Sequence, residues 1–308
     1  MRLPPGLTAR PLTMADAPAV TELVVAAELS LLGETITEQA DIVGAWRRPS
    51  FDLTRSTIGV FAGQRLIGWA EHSGGDRAGA DVHPQWLGQG IGTALTDWLC
   101  RTARSAGVAV LGMPVPAGSP GEALLLELGF QRRWQSWVLQ LPPGAEIPGV
   151  ALPVGFSVRA ALPQEHRQAW QVVEDAFLEW SDRPRQPFPD WAATTVARPG
   201  FEPWQLRAAT APDGSLAGAC LVQVFDGCGF VDKVAVRRAD RGRGLGQALL
   251  ADAFAAARAH GATRSELSTD TRTGALGLYR RLGMVVTSEW VNLATDLGAD
   301  LGVDRPRD

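Results

Sequence analysis

Residues 234–250 run Val234-Ala235-Val236-Arg237-Arg238-Ala239-Asp240-Arg241-Gly242-Arg243-Gly244-Leu245-Gly246-Gln247-Ala248-Leu249-Leu250. This is an apolar strand, a turn and the start of a helix. The three glycines let successive backbone N–H groups converge, and the helix N-terminus adds its positive dipole. Such a loop is an anion cradle of the size of a pyrophosphate. Arg237, Arg238, Arg241 and Arg243 add charge around it. No Gly-Lys-Ser/Thr follows, so the loop is not a Walker A motif. Its G-x-G-x-G spacing, outside a βαβ pattern, is not a dinucleotide fingerprint either. A plain strand-to-helix turn would use the same glycines, so the loop must be weighed with what surrounds it.

A second copy stands 154 residues earlier, half the length of the 308-residue chain: Gly88-Gln89-Gly90-Ile91-Gly92. Holding that offset without gaps from Val82 to Gly129 gives 12 identities in 48 positions. Composition alone would give roughly 3 or 4. The matches end on Leu128-Gly129 and Leu282-Gly283, the same helix terminus twice. The chain is therefore an internal duplication. Residues 141–155 place a proline or glycine every few positions, which leaves no room for an element and marks a linker. The expected organisation is a domain over 1–143, a linker over 144–155 and a domain over 156–308.

In the second half, strands are expected at 156–159, 205–209, 217–225, 230–236, 264–268 and 289–294. Helices are expected at 163–180, 190–197, 245–260 and 274–282. Helices set between strands in this order predict an α/β (α+β) fold, each domain a mixed, mostly antiparallel sheet flanked by helices.

The segment Arg241-Gly242-Arg243-Gly244-Leu245-Gly246 resembles motif A of the GCN5-related N-acetyltransferases. Some thirty residues on, Gly274-Ala275-Leu276-Gly277-Leu278-Tyr279-Arg280-Arg281-Leu282-Gly283-Met284 resembles their motif B. The resemblance covers about 157–295 well, and the whole chain is similar to tandem members of the family, of the mycothiol synthase type. It implies acetyl-CoA as co-substrate and transfer of its acetyl group to an amine.

Carried onto these residues, the family pattern gives each a role. The backbone amides of Gly242, Arg243, Gly244, Leu245, Gly246 and Gln247, with Arg241, would hold the pyrophosphate. The strand edge at Val234, Ala235 and Val236 would pair with the pantetheine arm, and a main-chain N–H there would polarise the thioester carbonyl. Tyr279, the only tyrosine in the chain, would protonate the departing thiolate. A phenol of pKa about 10 keeps its proton at neutral pH. An amine acceptor must lose a proton before attack. Asp232 is the preferred base, in phase with Val234 and Val236 by strand alternation; Asp226, Glu179 and Asp182 remain alternatives. Motif B often carries an early asparagine. Here the stretch is Asp270-Thr271-Arg272-Thr273, and the Thr271 hydroxyl is the expected substitute.

The first half keeps the glycines and changes the rest: Leu87 stands at the position of Arg241 and Leu125 at that of Tyr279. It is expected to be a degenerate copy. His83 is expected at a strand end, and His72, His166 and His260 on the surface. The eleven tryptophans are expected mostly in the core, with Trp180 and Trp191 flanking the segment where the family shapes its acceptor pocket.

Composition trims the alternatives. A formal net charge of −4 argues against a nucleic-acid partner. Lys233 is the only lysine, which leaves almost no Schiff-base chemistry. Cys100, Cys220 and Cys228 form no C-x-x-C pair, so no metal cluster is expected. No apolar run reaches membrane-spanning length and no signal peptide is recognisable, so no membrane association and a cytoplasmic location are expected. The expected partner is a small-molecule amine. A non-catalytic CoA-binding or sensing module, and acetylation of a protein amine, stay open; the acceptor and the oligomeric state are not legible.

Overall fold

The computed structural model describes residues 1–298. In the first part of the chain the strands are β1 (Leu7–Arg10), β2 (Thr57–Ala62), β3 (Arg65–Gly74), β4 (Arg77–Val82), β5 (Val110–Pro116) and β6 (Gln131–Gln140). The helices are α1 (Ala17–Leu32), α2 (Gln39–Trp46), α3 (Leu53–Ser56), α4 (Ile91–Ser105) and α5 (Pro120–Glu127). Further on come β7 (Ser157–Ala160), β8 (Leu206–Thr210), β9 (Leu216–Phe225), β10 (Cys228–Val236), β11 (Arg264–Asp270) and β12 (Val285–Asp296). Between them lie α6 (His166–Phe177), α7 (Phe188–Thr194), α8 (Leu245–Ala259) and α9 (Leu276–Arg281).

Two compact units result. One holds residues 1–42, 51–135 and 290–298; the other holds 43–50 and 136–289. The first orders its strands β1-β2-β3-β4-β5-β12, the second β6-β11-β10-β9-β8-β7. Neighbours are antiparallel except β4–β5 and β10–β11, which are parallel. Each unit thus completes its sheet with a strand from the other half of the chain. β12 pairs with β5 from Trp290–Pro116 to Asp296–Val110, and β6 pairs with β11 from Gln140–Glu266 to Ser136–Asp270.

The duplication extends to hydrogen bonds. Helix α4 ends with the Val108 N–H on the Ala103 carbonyl at 3.0 Å, and α8 with Ala262 on Ala257 at 3.0 Å. Both bonds follow a left-handed glycine, Gly107 and Gly261, which closes the last turn. Likewise Phe130 N–H reaches the Leu125 carbonyl, and Met284 N–H that of Tyr279.

In the second unit α8 buries Leu245, Leu249, Ala253 and Ala257, spaced one turn apart, with Leu250 and Phe254 beside them. Much of that stripe lies on Cys220, Val222, Val231 and Leu267. The opposite sheet face, Ala208, Ala219, Leu221 and Ala235, is covered by Val172 and Val173 of α6 and Trp191 of α7. Two expectations of burial change. His72 is buried, its Nε2 2.9 Å from the Gly75 carbonyl, so the tight turn after β3 holds it inside. Of the eleven tryptophans only Trp46 and Trp191 are fully buried; the other nine keep an edge exposed, as their size favours.

Candidate active site

The site is assembled in the second unit where two parallel strands part. Pairing of β10 with β11 runs from Cys228–Arg264 to Val231–Leu267 and stops. Pairing of β10 with β9 continues to Val236–Gly218. Residues 233–236 therefore have a strand partner on one side, and the polar backbone on the other side faces the opening wedge. The register shifts between Val231 and Lys233, leaving Asp232 as the extra residue of a bulge. That corrects the alternation argument for Asp232. The bulge resets the phase, so Val231, Val234 and Val236 pack toward α8, while Asp232 is exposed and ion-paired with Lys233.

Beyond β10 the chain makes one short turn and enters the glycine loop. Buried Asp240 accepts from Arg237 Nε at 2.9 Å and steadies the turn, while Arg237 Nη1 donates to Ser215 Oγ at 3.0 Å. Gly242 has φ +75° and Gly244 φ +80°, both in the left-handed region. Gly244 is the N-cap of α8 and offers no capping side chain, so the first-turn N–H groups are free to meet an anion. The loop thus runs through two left-handed glycines into a helix end with no side-chain cap. The first unit builds the same loop, with Gly88 at +74° and Gly90 at +78°. Around it the chemistry differs: Leu87 is exposed and Leu125 is buried in the core.

The linker lies against this loop. Ile147 is buried with α8, Glu146 pairs with Arg258 at 2.9 Å, and Gln247 Nε2 donates to the Pro148 carbonyl at 2.7 Å. The Gln247 side chain is thereby committed, and its backbone N–H is what it offers the cradle. Val150 packs so closely that a Cβ on Gly244 would come within 2.8 Å of it.

Tyr279 sits on α9, almost buried, packed in one cluster with Val234, Val236, Ala275 and Cys220. Burial pushes its hydroxyl up to about 12, with a smaller contribution from Cys220. It therefore carries its proton throughout the neutral range. Thr271 is exposed. The hydroxyl engaged at the start of α9 is that of Thr273, 2.7 Å from Thr269 Oγ1 and accepting the Ala275 N–H at 3.2 Å.

The segment after α6 carries three ties that the sequence did not disclose. Glu174, 1% exposed, takes two bonds from Arg183 at 2.8 Å each and the Gln186 N–H at 2.8 Å. Burial works against its charge, but these donors outweigh it and hold the carboxyl below its ordinary range. Glu179 receives Arg241 Nη1 and Nη2 at 2.8 and 2.7 Å. The Trp180 ring lies 4.8 Å under the Arg272 guanidinium, which is itself tied to Asp270. Glu174→Gln should cost about 2 kcal/mol, because hydrogen bonds to a charged acceptor are worth 1.5–3 each and only part is replaced. Urea unfolding of the two proteins measures it, and limited trypsin digestion should cut the variant faster after Arg185.

Among the described residues no cluster of three or more His, Cys, Asp or Glu could hold a metal ion, and no helix is long and apolar enough to cross a membrane.

Comparison with known proteins meets this geometry. The acetyltransferase (GNAT) family model matches residues 166–284. A mycothiol acetyltransferase of Salinispora arenicola is 32% identical over 262 residues, covering 79% of this chain and 81% of its own. A GCN5-related N-acetyltransferase from Sphaerobacter thermophilus superposes with a TM-score of 0.74 at 27% identity, over 96% of this chain and 97% of its own. A tandem GNAT protein from the clavulanic acid biosynthesis pathway does so with a TM-score of 0.70 at 21% identity, over 96% and 99%.

Proposed function

Because the chain belongs to the acetyltransferase (GNAT) family and is an acetyl-CoA-dependent N-acetyltransferase, we propose that it acetylates a primary amine of a small molecule, with the chemistry in the second unit. Tyr279 carries this reading. The only phenol in the chain belongs to the same hydrophobic cluster as Val234 and Val236, which lie past the point where β10 leaves β11, and it holds its proton at neutral pH. The glycine cradle, the one-sided strand edge and the uncapped helix fit a nucleotide-bearing thioester, which supplies an activated acetyl group. Amides of residues 242–247 and the Arg241 and Arg243 side chains bind its anionic end. The backbone of 234–236 orients the arm, and a main-chain N–H there stabilises the oxyanion. Tyr279 hands its proton to the sulfur as the C–S bond breaks.

Asp232 is proposed as the group that relieves the acceptor ammonium of its proton. It is exposed at the bulge where pairing with β11 ends. Asp232→Asn should lower kcat/KM by about 100-fold at pH 7, and raising the pH should recover part of the loss as the free amine accumulates. A variant with unchanged kcat/KM at every pH would move the role to Glu179, Asp182 or Asp226.

The 32% identical relative bears the name mycothiol acetyltransferase, so an acceptor of the mycothiol class heads the panel of amines to be tried. Thiol release from acetyl-CoA is the assay. Turnover with a small amine and none with lysine peptides is the expected result. Calorimetric CoA binding with no turnover on any amine would favour a binding or sensing module instead.

A further inference from the structure

Arg241 has two claimants. Its guanidinium makes a two-point ion pair with Glu179, while its Nε donates to the Val236 carbonyl at 3.0 Å. It thus sits between the end of β10 and the first glycine of the cradle, where an anion on the loop would also call on it. Glu179 belongs to the other side of the site. It follows α6 directly, beside Trp180, in a segment fixed at its base by the buried Glu174–Arg183 pair. Trp180 reaches in turn to Arg272, at the turn before α9. One short segment therefore touches the arginine of the cradle and the arginine that precedes the Tyr279 helix. Both its carboxylate and its indole face are engaged by guanidinium groups, the partners that a cationic ligand would replace.

We propose that Glu179 couples the two substrates: a pyrophosphate on the cradle takes Arg241 from it, and the released carboxylate then receives the positive charge of the acceptor amine. The proposal rests on the reading that residues 242–247 hold the pyrophosphate. The energetics allow the exchange. Both members of the pair are more than a third exposed, and exposed ion pairs are worth roughly 0–1 kcal/mol. A pyrophosphate carries more charge than one carboxylate, and the uncapped helix end attracts it further. Arg241 can change partners cheaply, whereas Glu174–Arg183, with its carboxylate buried, keeps the base of the segment in place. The order of events is then set by charge: the nucleotide arrives first, and the acceptor finds its carboxylate only afterwards. Acceptors that carry a positive charge near the reacting amine are the favoured class.

The test uses desulfo-CoA, which binds and cannot react, and 1,3-diaminopropane as the cationic probe, both by calorimetry on the full chain. Glu179→Gln should bind desulfo-CoA about 2- to 5-fold more tightly than the wild type, because Arg241 is no longer contested. 1,3-Diaminopropane should bind the desulfo-CoA-saturated wild type at least 5-fold more tightly than the desulfo-CoA-free protein. That gain should vanish in Glu179→Gln and be restored in part by Glu179→Asp. A merely structural ion pair would weaken nucleotide binding when broken, the opposite sign. Unchanged or weaker nucleotide binding in Glu179→Gln, or diamine binding indifferent to desulfo-CoA, overturns the proposal. Gly242→Ala separates the two readings, because a Cβ there meets nothing within 4 Å and only the left-handed φ resists it. If desulfo-CoA binding is untouched by Gly242→Ala, the cradle assignment fails and the coupling with it. If binding collapses there while Glu179→Gln changes nothing, the coupling alone fails.

Discussion

Tyr279→Phe should lower kcat by at least 100-fold while leaving the fold and the affinity for CoA intact. Proton transfer from a positioned acid contributes typically 10²–10⁴ in rate. Removing the hydroxyl keeps the ring, and with it the packing within its hydrophobic cluster. The phenol sits at about 12 because burial disfavours its anion, so the wild-type rate should not fall on the alkaline side until well above pH 10. Stability behaves differently. An unfolded tyrosine ionises near 10, so between about 10 and 12 the unfolded chain holds fewer protons than the native one, and stability is lost as pH rises through that window. Two pKa units correspond to roughly 2 to 3 kcal/mol. Urea midpoints at pH 9 and 11 should therefore converge for the variant relative to wild type. Stopped-flow thiol release supplies the rate, and a variant with wild-type kcat would remove Tyr279 from the chemistry.

Gly244→Ala should be far more damaging than Gly90→Ala, although the two glycines occupy the same place in the two copies. Their φ values, +80° and +78°, impose the same backbone strain on alanine, about 1–2 kcal/mol. Their surroundings differ. A Cβ on Gly90 meets nothing within 4 Å, whereas one on Gly244 comes within 2.8 Å of Val150 Cγ2 and 3.3 Å of Cγ1. Overpacking of this kind costs a further 1–3 kcal/mol, and it pushes the linker away from the loop whose N–H groups must converge. Gly244→Ala should therefore show the lower unfolding midpoint and at least 10-fold weaker CoA binding. Val150→Ala in the same chain should recover the packing part and leave the φ part. Equal midpoints for Gly90→Ala and Gly244→Ala would mean that the linker contact carries no energy.

Much of the second unit is legible in local pattern because its elements follow local rules. The glycine loop, the four-residue stripe of α8 and the strand of β10 announce themselves through backbone conformation and periodicity. What escapes is what depends on residues far apart. Nothing local ties Glu179 to Arg241, 62 positions away, or tells Gln131–Gln140 that its partner is β11. Asp232 shows a subtler limit: strict alternation is a fair rule until one bulged residue resets it. Thr271 and Thr273 differ by two positions in a short turn, and only the course of that turn decides which hydroxyl reaches the helix. His72 is buried by a turn carbonyl, a contact that hydropathy does not register.

The placement of β12 sets a timetable for biosynthesis. The first unit closes its sheet with residues that begin at Trp290, whereas β5 is complete at Pro116. At 5–20 residues per second, a ribosome needs about 10 to 35 seconds to make the intervening chain. During that interval β5 carries an unpaired edge, the kind of surface that recruits strands from other molecules. The earliest-made sheet is thus the last to be sealed, and the yield of native protein depends on how well that edge is kept from strangers until its own strand is made.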